Sequence, residues 1–285
     1  MNVKLGMNLL LWGVEITPEH LPIFEMLKEQ GFDGVEIPLV DAKVQQLPML
    51  ASACDELGLE RTASMFMPPE SNPISPDARV REAALSHLKQ RIDDAHSIDA
   101  KMLIGGIYQA HKYFTGAAPT DIEWQWSRDF LRAGGQYASQ AGVHLGLEFL
   151  NRFEAHLINS SADAKRMVKD VGLNNVGVLY DTHHANIEDP APSEAIADLS
   201  GVLNHVHLSE SHRGTLGSGQ VDFAANFAAL REIDYKGWLV IEAFGMGNPD
   251  IIPAANIWRN AFESEEQLCR DGIEFIKKHS ISLKS

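Results

Sequence analysis

Residues 144–181 read HLGLEFLNRFEAHLINSSADAKRMVKDVGLNNVGVLYD, and three segments inside them decide the fold. His144–Phe149 is a short, nearly continuous apolar run. Ser161–Val171 spaces its apolar residues three and four apart, as one face of a helix does, and Ser160 or Ser161 followed by Asp163 supplies an N-terminal cap. Gly177–Tyr180 is apolar throughout. Strand, helix, strand in that order, with strands apolar on both faces, describes parallel strands covered by helices.

The same alternation extends in both directions. Lys4–Leu10, Gly34–Leu39, Arg61–Phe66 and Lys101–Ile107 precede it as strand candidates, and Asn204–Leu208 and Trp238–Ala243 follow. Helical patterns lie between them at Pro18–Gln30, which stops at Gly31, and at Ala78–Ser97, Asp121–Ala141, Phe223–Glu232 and Ser264–His279. Eight β–α units of about 36 residues each predict one (β/α)8 TIM barrel spanning residues 1–285. An open doubly wound sheet is the main rival, but no GxGxxG follows the first strand.

The formal net charge of −15 argues against nucleic acid, whose phosphates demand a basic footprint, and in favour of neutral small molecules as partners. No apolar run approaches the roughly 20 residues that cross a bilayer. Cys54 and Cys269 form no framework and no signal peptide is evident, which together predict a cytoplasmic protein.

In such a barrel, the side chains at the C-terminal ends of the strands converge on the active site. Four consecutive runs end in Glu148 (LGLEF), Asp181 (VLYD), His207 (HVHL) and Glu242 (LVIEAF). Each alone has an ordinary explanation as a helix cap, a salt-bridge partner or a core histidine. Four at successive positions predict one divalent cation, because charged groups at the ends of apolar strands must be paired, hydrated or metal-bound. Three carboxylates and one imidazole suit Mn first, then Co or Mg; Zn fits less well. A second polar set, Glu154, His184 and Arg213, follows the first by a few residues. His183 reads as structural, and His205 as facing the opposite side of its strand from His207. From the first half, Asn8, Trp12, Glu36 and Phe66 are candidates to line the pocket, with Tyr108–Tyr113 after the fourth strand. The loop Gly214–Gly219 (GTLGSG) lacks the ending of a P-loop and reads as a flexible turn.

The strings LEFLNRFE, YDTHHANIE, HVHLSESHRGTLGSGQVDF and WLVIEAF resemble the D-tagatose 3-epimerase family of ketose 3-epimerases, which includes the D-psicose (D-allulose) and L-ribulose enzymes. The resemblance runs from GMNLLLW through GFDGVEI to a closing IWRNAF helix. It implies that Glu148, Asp181, His207 and Glu242 hold Mn or Co, and that Glu148 and Glu242 are the paired acid and base. It also implies that Glu154, His184 and Arg213 contact the sugar near its carbonyl and C3 hydroxyl, and that the protein is a homodimer or homotetramer. Inverting C3 of a free ketohexose or ketopentose then proceeds by proton removal and return through an enediolate.

Three departures bear on the substrate. Asn8 stands where the family usually has an aromatic, DTHHAN replaces DTFHMN, and Gly106–Phe114 (GIYQAHKYF) is more polar. An isomerase, epimerase or lyase acting on a 3-keto-sugar or inosose would use the same site. An abasic-site endonuclease is disfavoured by the acidic charge. A sugar-binding module without catalysis is the last alternative. The loop GMGNPDIIP carries glycines but no Lys or Arg, which favours unphosphorylated sugars.

Overall fold

Eight parallel strands close on themselves in the computed structural model, which describes residues 3–40 and 44–281. They are β1 (Lys4–Asn8), β2 (Gly34–Pro38), β3 (Glu60–Ser64), β4 (Met102–Gly105), β5 (His144–Glu148), β6 (Val176–Asp181), β7 (Leu203–Leu208) and β8 (Trp238–Ile241). Each pairs with its neighbours in chain order, and β1 pairs with β8, Met7 beside Ile241, to complete the (β/α)8 barrel.

The helices among the described residues are α1 (Leu21–Gln30), α2 (Leu47–Leu57), α3 (Ala78–Ser97), α4 (Asp121–Ala141), α5 (Ser161–Val171), α6 (Thr182–Glu188), α7 (Pro192–Asp198), α8 (Phe223–Glu232), α9 (Ile251–Ala255) and α10 (Glu265–Ile281). α6 and α9 lie at the mouth of the barrel, where His184 and Ile251 line a cavity, and the longer helices bury apolar faces: Phe24 and Leu27 of α1, Leu131 and Ala138 of α4, and Phe227 and Leu230 of α8 are all buried. Each such Phe or Leu contributes roughly 2 kcal/mol by leaving water.

Local chemistry sets the element ends. Ser160 caps α5 by accepting the Asp163 N–H. Thr120 and Glu123 cap α4 reciprocally. Gly31 ends α1 at φ 91°, a conformation costly for a residue with a Cβ. The run 4–10 turns out of the sheet earlier than its apolarity predicts, because Asn8 Oδ1 accepts the Leu10 N–H at 2.8 Å and starts a 3-10 turn at Leu9. Two helical expectations need revision. IWRNAF is not a helix: Asn256 ends α9 in the left-handed region at φ 55°, and the chain runs irregularly to Glu265. Pro18–His20 is a 3-10 turn that leads into α1.

Candidate active site

Glu148 is the last residue of β5, Asp181 the last of β6, His207 lies next to the end of β7, and Glu242 directly follows β8. The barrel brings one oxygen or nitrogen from each to within 4.8 Å of all the others. All four side chains are buried, Glu148 being the most accessible at 8%. Asp181 also caps α6, its Oδ1 accepting the His183 N–H at 2.7 Å.

The donor set fits a divalent cation. His207 Nδ1 stands 3.3 Å from Glu242 Oε1 and 3.9 Å from Glu148 Oε1, and it has no hydrogen-bond partner. Two oxygen or nitrogen donors on one ion lie about 3 to 4.3 Å apart when each bond is about 2.1 Å. Such a buried, unpartnered nitrogen among carboxylates is costly without a cation to share.

The carboxyls of Glu148 and Glu242 are pushed in opposite directions. Burial raises Glu148, and the charge of Glu242 adds to the effect. Burial acts on Glu242 too, but the charges of His207 and Arg213 outweigh it and hold that carboxyl at about 2.

Arg213 braces this cluster. Its backbone takes the left-handed region at φ 61°. Its Nη1 donates to Asp181 Oδ2 (2.8 Å), Glu242 Oε2 (2.7 Å) and Ser209 Oγ (2.9 Å). The guanidinium lies 5.0 Å over the Phe244 ring. His184 Nδ1 accepts the Asn151 N–H at 3.0 Å, and its Nε2 lies 3.1 Å from Arg213 Nη2 and 3.5 Å from Glu148 Oε1. Glu154 is held well below the carboxylate range: burial alone would raise it, but the His111 hydrogen bond and the charges of His184, Arg213 and His111 prevail.

These groups floor a cavity of about 610 Å³, part of it open to solvent. Glu148, Glu154, His184, His207, Arg213 and Glu242 line its polar side. Leu10, Phe66, Phe244 and Ile251 of α9 line the apolar side. Asn8, Glu36 and Trp12 do not line it. Asn8 and Glu36 lie beneath the floor and Trp12 packs against the hydrophobic core.

Other placements differ from expectation. His205 shares a face with His207, since side chains two apart on a strand point the same way, and its Nε2 is 2.9 Å from Glu36 Oε2. Tyr108 is buried and donates to the Ile158 carbonyl. The Gly214–Gly219 loop is not a free turn: it wraps the buried carboxylate of Glu210, which accepts N–H groups from Ser211, Gly217, Gln220 and Val221 at 2.7–3.1 Å. His111, in a loop with no periodic signal, lines the cavity 3.2 Å from Glu154. Its neighbour Lys112 ties this loop to α9, donating to the Pro253 carbonyl (2.7 Å) and to Asn256 Oδ1 (3.0 Å) just past the helix. The chemistry of His111 and Lys112 is visible in the sequence, but their position depends on the closed barrel.

A family model described as xylose isomerase-like TIM barrel matches residues 24–279. The ketose 3-epimerase of Arthrobacter globiformis is 32% identical over 99% of each chain. The 3-dehydro-D-guloside 4-epimerase of Escherichia coli is 34% identical over 79% of this chain and 87% of its own. The crystal structure of a D-allulose 3-epimerase from Methylomonas sp. in complex with D-allulose superposes with a TM-score of 0.92, covering 98% of this chain and 97% of that one at 26% identity.

Proposed function

The chain belongs to the xylose isomerase-like TIM-barrel family, and from that premise we propose that it is a divalent-metal-dependent ketose 3-epimerase acting on free ketohexoses or ketopentoses. The observation that carries the reading is the convergence of Glu148, Asp181, His207 and Glu242 from four successive strands. Those four residues would hold the ion, Mn first. When bound, the metal supplies Lewis acidity at the ketose carbonyl and the neighbouring hydroxyl, which acidifies the C3 proton.

The rest is the work of side chains. Glu148 and Glu242 approach from strands three places apart in the barrel order; one, as the carboxylate, takes the C3 proton, and the other, protonated, delivers its own proton to the opposite face. Either carboxylate serves as base, and the reaction therefore runs from either epimer. Arg213 offsets the negative charge that develops on the enediolate, and His184 and Glu154 offer hydrogen bonds to sugar hydroxyls. Phe66, Leu10 and Phe244 wall the site from bulk water.

Unphosphorylated sugars fit best. Arg213 is the sole Lys or Arg among the described cavity-lining residues, and it is committed to two carboxylates. Self-association is part of the reading: Phe114, Phe153, Met246 and Trp258 are 45–68% exposed on loops after β4, β5 and β8, at one end of the barrel. A homodimer or homotetramer would cover them. The unbridged, buried Cys54 and Cys269 fit a reducing cytoplasm.

A second reading is favoured by the Escherichia coli relative, whose name places its chemistry at C4 of a 3-keto glycoside. The same carboxylates would then act on the proton beside a C3 ketone. Chromatography of products from D-fructose, D-tagatose and L-ribulose, with and without EDTA, tests the first reading. Metal-dependent C3 epimers support it, and their absence alongside turnover of a 3-keto-glucoside shifts the assignment to the second.

A further inference from the structure

Glu36 sits in the third position of β2 with no exposed surface, and the proton transfer has no use for it. Its carboxylate is nonetheless the meeting point of the barrel floor. Oε1 accepts from His207 Nε2 (2.7 Å) and Asn8 Nδ2 (3.0 Å). Oε2 accepts from Thr62 Oγ1 (2.8 Å) and lies 2.9 Å from His205 Nε2. Strand register puts Asn8 and Thr62 on either side of Glu36, so this convergence is built into the sheet. A buried carboxylate is expensive unless donors surround it in this way.

Two orientations follow from that anchor. The Glu36 contact places the His207 ring proton on Nε2, which turns the Nδ1 lone pair towards Glu148 and Glu242. Asn8 Oδ1 is taken by the Leu10 N–H, so its amide N–H2 must face the carboxylates, and it bridges Glu36 Oε1 to Glu242 Oε1 (3.1 Å). We infer that Glu36 is a positioning residue for the metal centre, fixing His207 as the Nε2–H tautomer and, through Asn8, fixing the carboxylate of Glu242. This inference rests on the metal-dependent reading above.

Glu36, His205 and His207 also bring one donor atom each within 4.8 Å, which raises the rival that Glu36 is itself a ligand. The 2.7 and 2.9 Å separations argue against that. Donors bonded at about 2.1 Å to one ion stand about 3 Å apart or more, and both contacts are shorter.

The test is calorimetric titration of Mn²⁺ into EDTA-stripped full-length protein, with melting curves of the metal-free forms. The wild type binds one ion. Glu36→Gln melts as a folded protein but binds Mn²⁺ about 10- to 100-fold more weakly. Thr62→Val removes a donor from Glu36 without touching His207 or Asn8, and it keeps the dissociation constant within about threefold while lowering the melting temperature. Unchanged affinity in Glu36→Gln overturns the inference alone. A wild type that binds no Mn²⁺ overturns the metal-dependent reading and the inference with it. Two ions per chain, one of them lost in Glu36→Gln, makes Glu36 a ligand and overturns its positioning role. If Glu36→Gln does not fold, ¹⁵N-histidine NMR of the Mg²⁺-loaded wild type decides, with the His207 ring assigned against His207→Asn. A proton on Nε2 supports the inference, and a proton on Nδ1 overturns it.

Discussion

Nδ1 of His207 stands 3.3 Å from Oε1 of Glu242 with no hydrogen bond joining them. A nitrogen and a carboxylate oxygen so close, both shielded from water, share a cation more readily than they share nothing. Titrating Mn²⁺ into the protein is therefore expected to raise its melting temperature. At 100 times the dissociation constant the gain is about 2.7 kcal/mol, or roughly 5 °C for a chain of this size. Differential scanning fluorimetry with Mn²⁺, Co²⁺, Mg²⁺ and EDTA reads the effect, and identical curves in all four would contradict a metal centre.

Glu148→Gln and Glu242→Gln each remove a proton carrier and one metal-binding oxygen while keeping the side-chain shape. Each is expected to lower kcat at least about 1,000-fold and to weaken metal binding. Steady-state rates beside metal content measured by atomic absorption separate the two effects. Near-normal turnover in either variant would remove the acid and base assignment.

Arg213→Ala takes away hydrogen bonds to Asp181, Glu242, Ser209 and His184 but no metal-binding atom. Metal content should stay near the wild-type level while kcat falls roughly 100-fold. Loss of the ion instead would make Arg213 a scaffold for the site.

Glu210 tests the loop beside the mouth. Glu210→Ala leaves four backbone N–H groups without their shared acceptor, and the expected cost is about 3 kcal/mol. Urea denaturation measures it, and limited proteolysis should find new cleavage between 214 and 220. A change under about 0.5 kcal/mol would show that water replaces the carboxylate there.

The two thiols make a separate check on the core. Burial pushes the Cys54 thiol up to about 11 and raises that of Cys269 further. Neither is expected to react with a disulfide reagent at neutral pH in the native protein, and both should react in guanidinium. Prompt native labelling of Cys54 would mean that α2 opens readily.

The barrel was legible because its strands are buried on both faces and so read as apolar blocks, and because helices such as α3, α4, α5 and α8 carry clean apolar faces. The seven-residue helices α6 and α7 have too few turns to show a period, and α2 begins in a Leu-Pro segment that masks its pattern. IWRNAF shows the opposite error: the family resemblance implied a helix there, yet Trp258 is 68% exposed and the backbone is irregular. Within the site, residue type and strand position were enough to bring Glu148, Asp181, His207 and Glu242 together as a candidate set. Depth was not legible. Glu36 and Asn8 have the chemistry of pocket residues, but register places them under the floor, where only the closed barrel shows His207 and His205 reaching the same carboxylate.

The most direct test of the account is deuterium exchange. The Mn²⁺-loaded protein is incubated in D2O with D-fructose, D-tagatose, L-ribulose and a 3-keto-glucoside, beside an EDTA-treated control, and deuterium is located by NMR. Label at C3 of a ketose, with its C3 epimer appearing and both abolished by EDTA, is the predicted result. Epimer formation that survives EDTA, or label confined to a different carbon, would contradict a metal-dependent 3-epimerase.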